Sequence, residues 1–275
     1  MIRDITIGQY YQTDSVIHRL DPRVKLAGTF VYIIALFVVN SFAGYLFAAL
    51  FLALVIALSH VPFSYMIRGM RTIVFLLMIT VVFNLFLTPG EPVLQVFRFT
   101  MTREGIVFAA KMAMRLIFLL LGCSVMTLTT TPNQLTDGLE DLLSPLKKLH
   151  VPVHEISMMM SIALRFIPIL MEETDKIMKA QIARGADFES KNIIKKIRAL
   201  IPLLVPLFIS AFRRANDLAM AMEARCYRGG EGRTKMKPLI YRGRDRIAYV
   251  VLGLFLLGCI CLRILAGRMT GLLWM

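Results

Sequence analysis

The chain has 275 residues, 57% of them hydrophobic, and its mean hydropathy of +0.67 is too high for a water-soluble core and surface. That excludes an ordinary soluble enzyme and places the chain in a bilayer, where spans hold almost no charge. The formal charge of +14 must therefore sit in flanks and loops, where it marks one membrane side, and no nucleic-acid partner is expected.

Residues 1–25 contain neither an apolar signal region nor a small-residue cleavage site, so no removable signal peptide is expected. Asp21-Pro22 reads as an N-cap followed by proline at the first helical position. From Leu26 to Leu58 there is no charge, and one helix of that length would reach about 50 Å against a hydrocarbon core of about 30 Å. The stretch must fold back, with Asn40-Ser41 and Gly44 as the break. Thr72 to Thr88 is a third span, stopped by Pro89-Gly90. Ile106 to Leu128 is a fourth. It carries Lys111 and Arg115 one turn apart near its start, where snorkelling or packing against a partner is a better account than a transport path. Ile247 to Ala266, bracketed by Arg246 and Arg263, is the last.

Residues 132–246 hold 20 of the 32 Lys and Arg residues, so the segment between the fourth and fifth spans should be cytoplasmic. Four crossings then put the N-terminus, with Arg3, Arg19, Arg23 and Lys25, on the same side. Arg68 and Arg71 in the second connection also fall inside, whereas Arg98 and Arg103 in the third lie outside against the rule. The expected organisation is residues 1–130 with four spans, a helical coupling segment over 131–245, and a last span over 246–275.

That middle segment opens at Thr131-Pro132 with a short helix ending at Ser144-Pro145. A second helix runs from Pro152 through the apolar Ile156–Met171, interrupted by Arg165 and Pro168, to a charged end. A third follows the basic run from Lys191 to Arg198, with Pro202 and Pro206 in an apolar core too short and broken to make a convincing span. Helices apolar at one end and polar at the other suit the membrane interface and need a neighbour in the membrane plane. The alternative, seven crossings, would put Arg165 and both prolines at mid-bilayer.

The most informative pattern is that these two helices each end in Ala-Arg-small: Ala183-Arg184-Gly185 and Ala224-Arg225-Cys226, with the arginines 41 positions apart. One such end is ordinary, because a cation suits the negative end of the helix dipole and glycine suits the position after the cap. Two suggest two similar sockets, since a guanidinium fork can bind a carboxylate bidentately while small neighbours let the helix tip approach. Arg228, Arg233, Lys235 and Lys237 nearby would steer an acidic partner or hold anionic lipid.

These features, with Gly8-Gln9-Tyr10, Asp14-Ser15, His18-Arg19-Leu20-Asp21-Pro22-Arg23-Val24-Lys25, Thr130-Thr131-Pro132 and Leu164-Arg165-Phe166-Ile167-Pro168, resemble the transmembrane coupling proteins of energy-coupling factor (ECF) transporters. The resemblance covers nearly the whole chain. It implies an all-α integral membrane protein with about five transmembrane helices and a cytoplasmic helical coupling domain. It further implies two ATP-binding-cassette ATPases docked at Ala183, Arg184 and Gly185 and at Ala224, Arg225 and Cys226. The apolar helix faces, with Met159, Ala163, Phe166, Leu203 and Leu207, would contact a membrane-embedded substrate-binding (S) subunit that takes up a vitamin or micronutrient. Cys226 departs from the Gly, Ser or Ala expected there, which puts a left-handed cap on that helix in question.

No phosphate-binding loop is present, so the chain should not hydrolyse ATP itself, and neither a cofactor nor a metal is expected. His154-Glu155 opens like a zinc-protease helix, but Met158 stands where the second histidine is required. The cysteines Cys123, Cys226, Cys259 and Cys261 lack zinc or disulfide spacing and read as small buried hydrophobes. The competing reading is a membrane enzyme or channel that works alone through Lys111 and Arg115. Within the leading one, a module shared among substrate binders competes with one dedicated to cobalt, nickel or biotin.

Overall fold

The computed structural model describes residues 10–89, 92–96, 99–186, 188, 193–230, 236 and 238–272. It divides into two compact units, one of Glu140–Pro238 and the other of Gly8–Leu139 with Leu239–Met275. The described residues are overwhelmingly helical, as expected. The strands among them form one short antiparallel hairpin, β1 (Pro92–Val96) with β2 (Phe99–Thr102).

In the larger unit most helices start on a recognisable signal. The Asp21 carboxylate accepts from the Arg23 N–H ahead of α1 (Pro22–Val38), with proline at the first position. Ser41 caps α2 (Phe42–Ser59) and Thr102 caps α4 (Arg103–Thr129). α5 (Pro132–Leu143) opens on a reciprocal capping box, the Thr131 N–H donating to Gln134 Oε1 and the Gln134 N–H to Thr131 Oγ1. α3 (Phe63–Leu87) begins after Pro62, earlier than the Thr72 expected from apolarity. Arg68 and Arg71 therefore lie within a helix and not in a connection, because arginine interrupts hydropathy without opposing helix formation. α8 (Gly243–Leu272) is likewise longer than its apolar part.

Among the described residues five helices are long and apolar enough to cross a membrane: Phe42–Ser59, Arg103–Thr129, Val153–Ala183, Ala199–Ala224 and Gly243–Gly267. The number agrees with the expectation, but the membership differs. Three are expected spans, whereas the other two are the coupling helices. α1, at 17 residues, and the apolar part of α3, Ile73–Phe86, are shorter.

The core of the larger unit is built from close helix approaches. Ala35 and Ala48 are fully buried, and a side chain added at Gly122 would stand 2.4 Å from the Tyr32 ring. Small residues at such crossings let helices meet through packing, which is the main attraction available in lipid. Tyr32 and Phe51 both stack on Phe255, the latter at 4.0 Å between centroids, and the Tyr32 hydroxyl donates to the Phe118 carbonyl at 3.1 Å. The Tyr32 ring is thus held by its stacking partner and by its hydroxyl bond. Gly122→Ala would add up to about 1 kcal/mol of helix propensity, but overpacking costs about 1–3 kcal/mol. A lower thermal midpoint for this variant in detergent is the expected result, and an unchanged or higher one would show that the ring gives way.

Candidate functional site

The smaller unit contains a 3-10 segment (Ser144–Leu149), α6 (Val153–Ala183) and α7 (Ile193–Ala224). α7 runs unbroken through Pro202 and Pro206, and α6 through Pro168, in keeping with the two helices expected; what differs is that Ala199–Ala224 is long and apolar enough to cross a membrane, which the sequence reading doubted. Each proline frees one carbonyl four residues earlier without ending the rod. The basic residues 195, 196 and 198 also fall inside α7.

α6 and α7 are pinned at one crossing. Glu173 accepts from Ser210 Oγ at 2.5 Å and from Arg214 at 2.9 Å. Beyond that pin, Ile162, Phe166 and Leu170, which precede Glu173, share a cavity of about 300 Å³ with Ala215, Ala219 and Met222, which follow Arg214. The first arm of α6 therefore faces the last arm of α7 across this cavity, so the helices run in opposite senses past the pin and their C-terminal arms leave it on diverging courses. From Glu173 to Arg184 and from Arg214 to Arg225 is 11 residues in each case, about 16 Å of helix.

Those two ends are built alike. At the first, the Gly185 N–H donates to the Ile182 carbonyl at 2.9 Å and the Ala186 N–H to that of Gln181 at 3.0 Å. At the second, the Cys226 N–H donates to Glu223 at 2.8 Å and the Tyr227 N–H to Met222 at 3.0 Å. Each pair is the complete hydrogen-bond set of a Schellman cap. Gly185 has φ +90° and Cys226 φ +56°, so the second helix has the same left-handed cap as the first, although cysteine is strained there. Ala183, Arg184, Gly185, Ala224, Arg225 and Cys226 are all exposed, and neither guanidinium has a partner among the described residues. Arg228 is exposed too, while Arg233, Lys235 and Lys237 lie outside the described residues.

The apolar positions singled out on α6 and α7 divide. Met159 and Ala163 are exposed, Phe166 and Leu207 are half-buried, and Leu203 is buried. Helical spacing could not separate the face α6 and α7 show each other from the face they leave open. Exposed Phe208 and Phe212 were missed for the same reason. The cysteine reading holds for buried Cys259 but not for Cys226 and Cys261, which are exposed.

Among the described residues, His154, Arg115 and Lys111 each have a structural partner. His154 Nδ1 and Ser157 Oγ hold the two oxygens of Glu140, both at 3.0 Å, within the smaller unit. Arg115 donates to the Val39 carbonyl at 3.1 Å beside the Phe37 ring, capping the end of α1, and Lys111 lies over the Phe42 ring. Both cations brace the turn between α1 and α2.

A family model described as cobalt transport protein (CbiQ) matches residues 13–236. The energy-coupling factor transporter transmembrane protein EcfT of Clostridium kluyveri is 57% identical over 268 residues, 97% of this chain and 98% of its own length. The protein of that name from Thermosediminibacter oceani is 53% identical over 95% of this chain and 99% of its own, and that from Bacillus subtilis 47% over 92% and 96%.

The cap geometry makes a testable distinction between backbone and thiol. Cys226→Gly should keep the helix end and add about 0.5–1 kcal/mol by relieving the left-handed strain. Cys226→Val should fray the last turn of α7 while leaving Arg225 in place. Thermal denaturation and hydrogen exchange at residues 222–227 measure both, and equal protection in the two variants would contradict a left-handed cap.

Proposed function

The chain belongs to the cobalt transport protein family as a transmembrane component of an energy-coupling factor transporter, and from that premise we propose that it links two ATP-binding-cassette ATPases to a membrane-embedded substrate-binding subunit. The observation that carries this reading is the pair of identically capped, arginine-bearing helix ends on diverging arms. One ATPase takes Ala183, Arg184 and Gly185, and the other takes Ala224, Arg225 and Cys226. Each guanidinium enters a groove that offers it a carboxylate. Closure of the ATPase dimer moves the two tips, and the Glu173–Ser210–Arg214 pin passes that movement along α6 and α7.

The open apolar faces of α6 and α7, with Met159, Ala163, Phe208 and Phe212, contact the substrate-binding subunit. Phe166, Leu203 and Leu207 contribute to that contact mainly by setting how the helices pack on each other. The chain is a multi-pass membrane protein, and its N-terminus and coupling helices lie on the cytoplasmic side, where the 20 basic residues of 132–246 favour them. Its role is non-catalytic, with ATP hydrolysed by the partner subunits. The cargo is a vitamin or micronutrient chosen by the substrate-binding subunit. The relatives carry the general energy-coupling-factor name, which supports a shared module over one dedicated to cobalt, nickel or biotin.

Arg184→Ala and Arg225→Ala should each weaken ATPase association by at least about tenfold, the cost of leaving a buried carboxylate unpaired. The double variant should insert normally but lose ATP-driven uptake. Copurification of ATPase subunits and uptake by whole cells are the measurements. Wild-type uptake in the double variant would remove both arginines from the mechanism.

A further inference from the structure

In the larger unit α1, α2, α4 and α8 enclose a cavity of about 260 Å³ that the coupling features do not use. Val24, Leu52, Val55, Val125 and Leu252 make its walls, and the Tyr32 and Phe51 rings lie at its inner end. One end differs. Lys25 and Arg244 line it, and among the described lining residues there is no carboxylate.

Both cations have capacity to spare. Lys25 is 8% exposed, and its ammonium donates to the Thr129 carbonyl at 2.8 Å and the His18 carbonyl at 3.2 Å, which leaves one N–H of three. Arg244 is exposed and makes no direct hydrogen bond or ion pair among the described residues, although it acts on Asp14 through its charge. The neighbouring carboxylates are engaged elsewhere. Asp14 is held by Arg19, Asp21 by Arg23, and Asp245 accepts from the Asp21 and Arg242 N–H groups.

The four helices fix where this end lies. α1 starts at Pro22 and α8 at Gly243, while α2 stops at Ser59 and α4 at Thr129, so the cations stand at one end of the bundle. From Arg244 to Leu252 is about 12 Å of helix, all of it apolar wall below the charged rim. Exposed Leu54, Leu58 and Val251 border the cavity, which opens it sideways. Water finds too few polar partners inside to stay, but hydrocarbon can enter from the bilayer.

We propose that this cavity holds one acyl chain of an anionic phospholipid, whose phosphate rests on Arg244 and the free N–H of Lys25. Zwitterionic lipid fits less well, because the acids nearest the rim, Asp14 and Asp21, are already paired with Arg19 and Arg23 and offer its ammonium little. The proposal depends on placement of the bundle in a membrane and is independent of the ATPase-coupling role.

The full-length protein, purified with whatever subunits accompany it, is delipidated in detergent and titrated with phosphatidylglycerol, phosphatidylcholine or oleate. Native mass spectrometry then counts the lipid retained. Phosphatidylglycerol should be held about fivefold more tightly than phosphatidylcholine, and Arg244→Gln should remove about that factor. Ala248→Phe, which fills the cavity, should abolish retention. If that variant does not fold, Arg244→Gln on its exposed site decides alone. Equal retention of the two phospholipids, no effect of Arg244→Gln, or oleate held in place of phosphatidylglycerol would each overturn the proposal.

Discussion

The Lys25 ammonium is buried where the end of α4 meets the turn before α1, and a buried cation must find partners. It finds two carbonyls, those of His18 and Thr129, at a helix terminus whose dipole favours positive charge. The turn that supplies one of them is itself ordered. His18 Nε2 donates to the Tyr11 carbonyl and Nδ1 accepts from Ser15 Oγ, and burial keeps the imidazole below its ordinary pKa and so neutral beside the lysine. Asp245 adds the start of α8 by accepting from the Asp21 N–H. Three helix ends are therefore fixed at one place by polar groups that would be costly to bury singly, and two of those helices, α1 and α4, cross closely where Gly122 meets the Tyr32 ring.

Helix starts were legible wherever a capping residue and a proline stand together, as at Asp21-Pro22 and Thr131-Pro132, because the signal is local and stereochemical. The extents were less legible. Hydropathy reports where a helix meets lipid and not where it begins, so α3 and α7 extend into basic residues that the apolar pattern assigned to connections. Pro202 and Pro206 counted against a span in the sequence, yet Ala199–Ala224 is one helix, long and apolar enough to cross a membrane. Proline opposes a helix interior by about 3 kcal/mol, but a helix of 32 residues held along one face by a partner can absorb that cost.

At the candidate site the 41-residue spacing of Arg184 and Arg225 was visible, while the reason the two ends diverge was not. That reason is a contact between helices, the Glu173–Ser210–Arg214 pin, together with the alanines 211, 215 and 219 that let α7 approach α6. No spacing within one helix encodes which face meets the other, and this is why Leu203 is buried while Met159 is open. The competing reading of Lys111 and Arg115 as functional charges loses its basis in the same way. Arg115 caps the end of α1 and Lys111 rests over the Phe42 ring, both of them structural uses of charge within a span.

The matching caps bear on what the arginines are for. A cation near a helix C-terminus often serves the helix, by neutralising its dipole or bonding its last carbonyls. Here the carbonyls of Gln181, Ile182, Met222 and Glu223 already accept from backbone N–H groups of the residues that follow. The guanidinium groups are left over from that hydrogen-bond accounting, exposed and unpaired among the described residues, at two tips of the same shape. A helix needing only a stop would be served by glycine alone. The second tip keeps the left-handed turn even at the strain of a cysteine, which fits the proposed docking, where the shape of the tip counts as well as its charge. Shape and charge together are what a socket recognises, and two copies on diverging arms are what two sockets require.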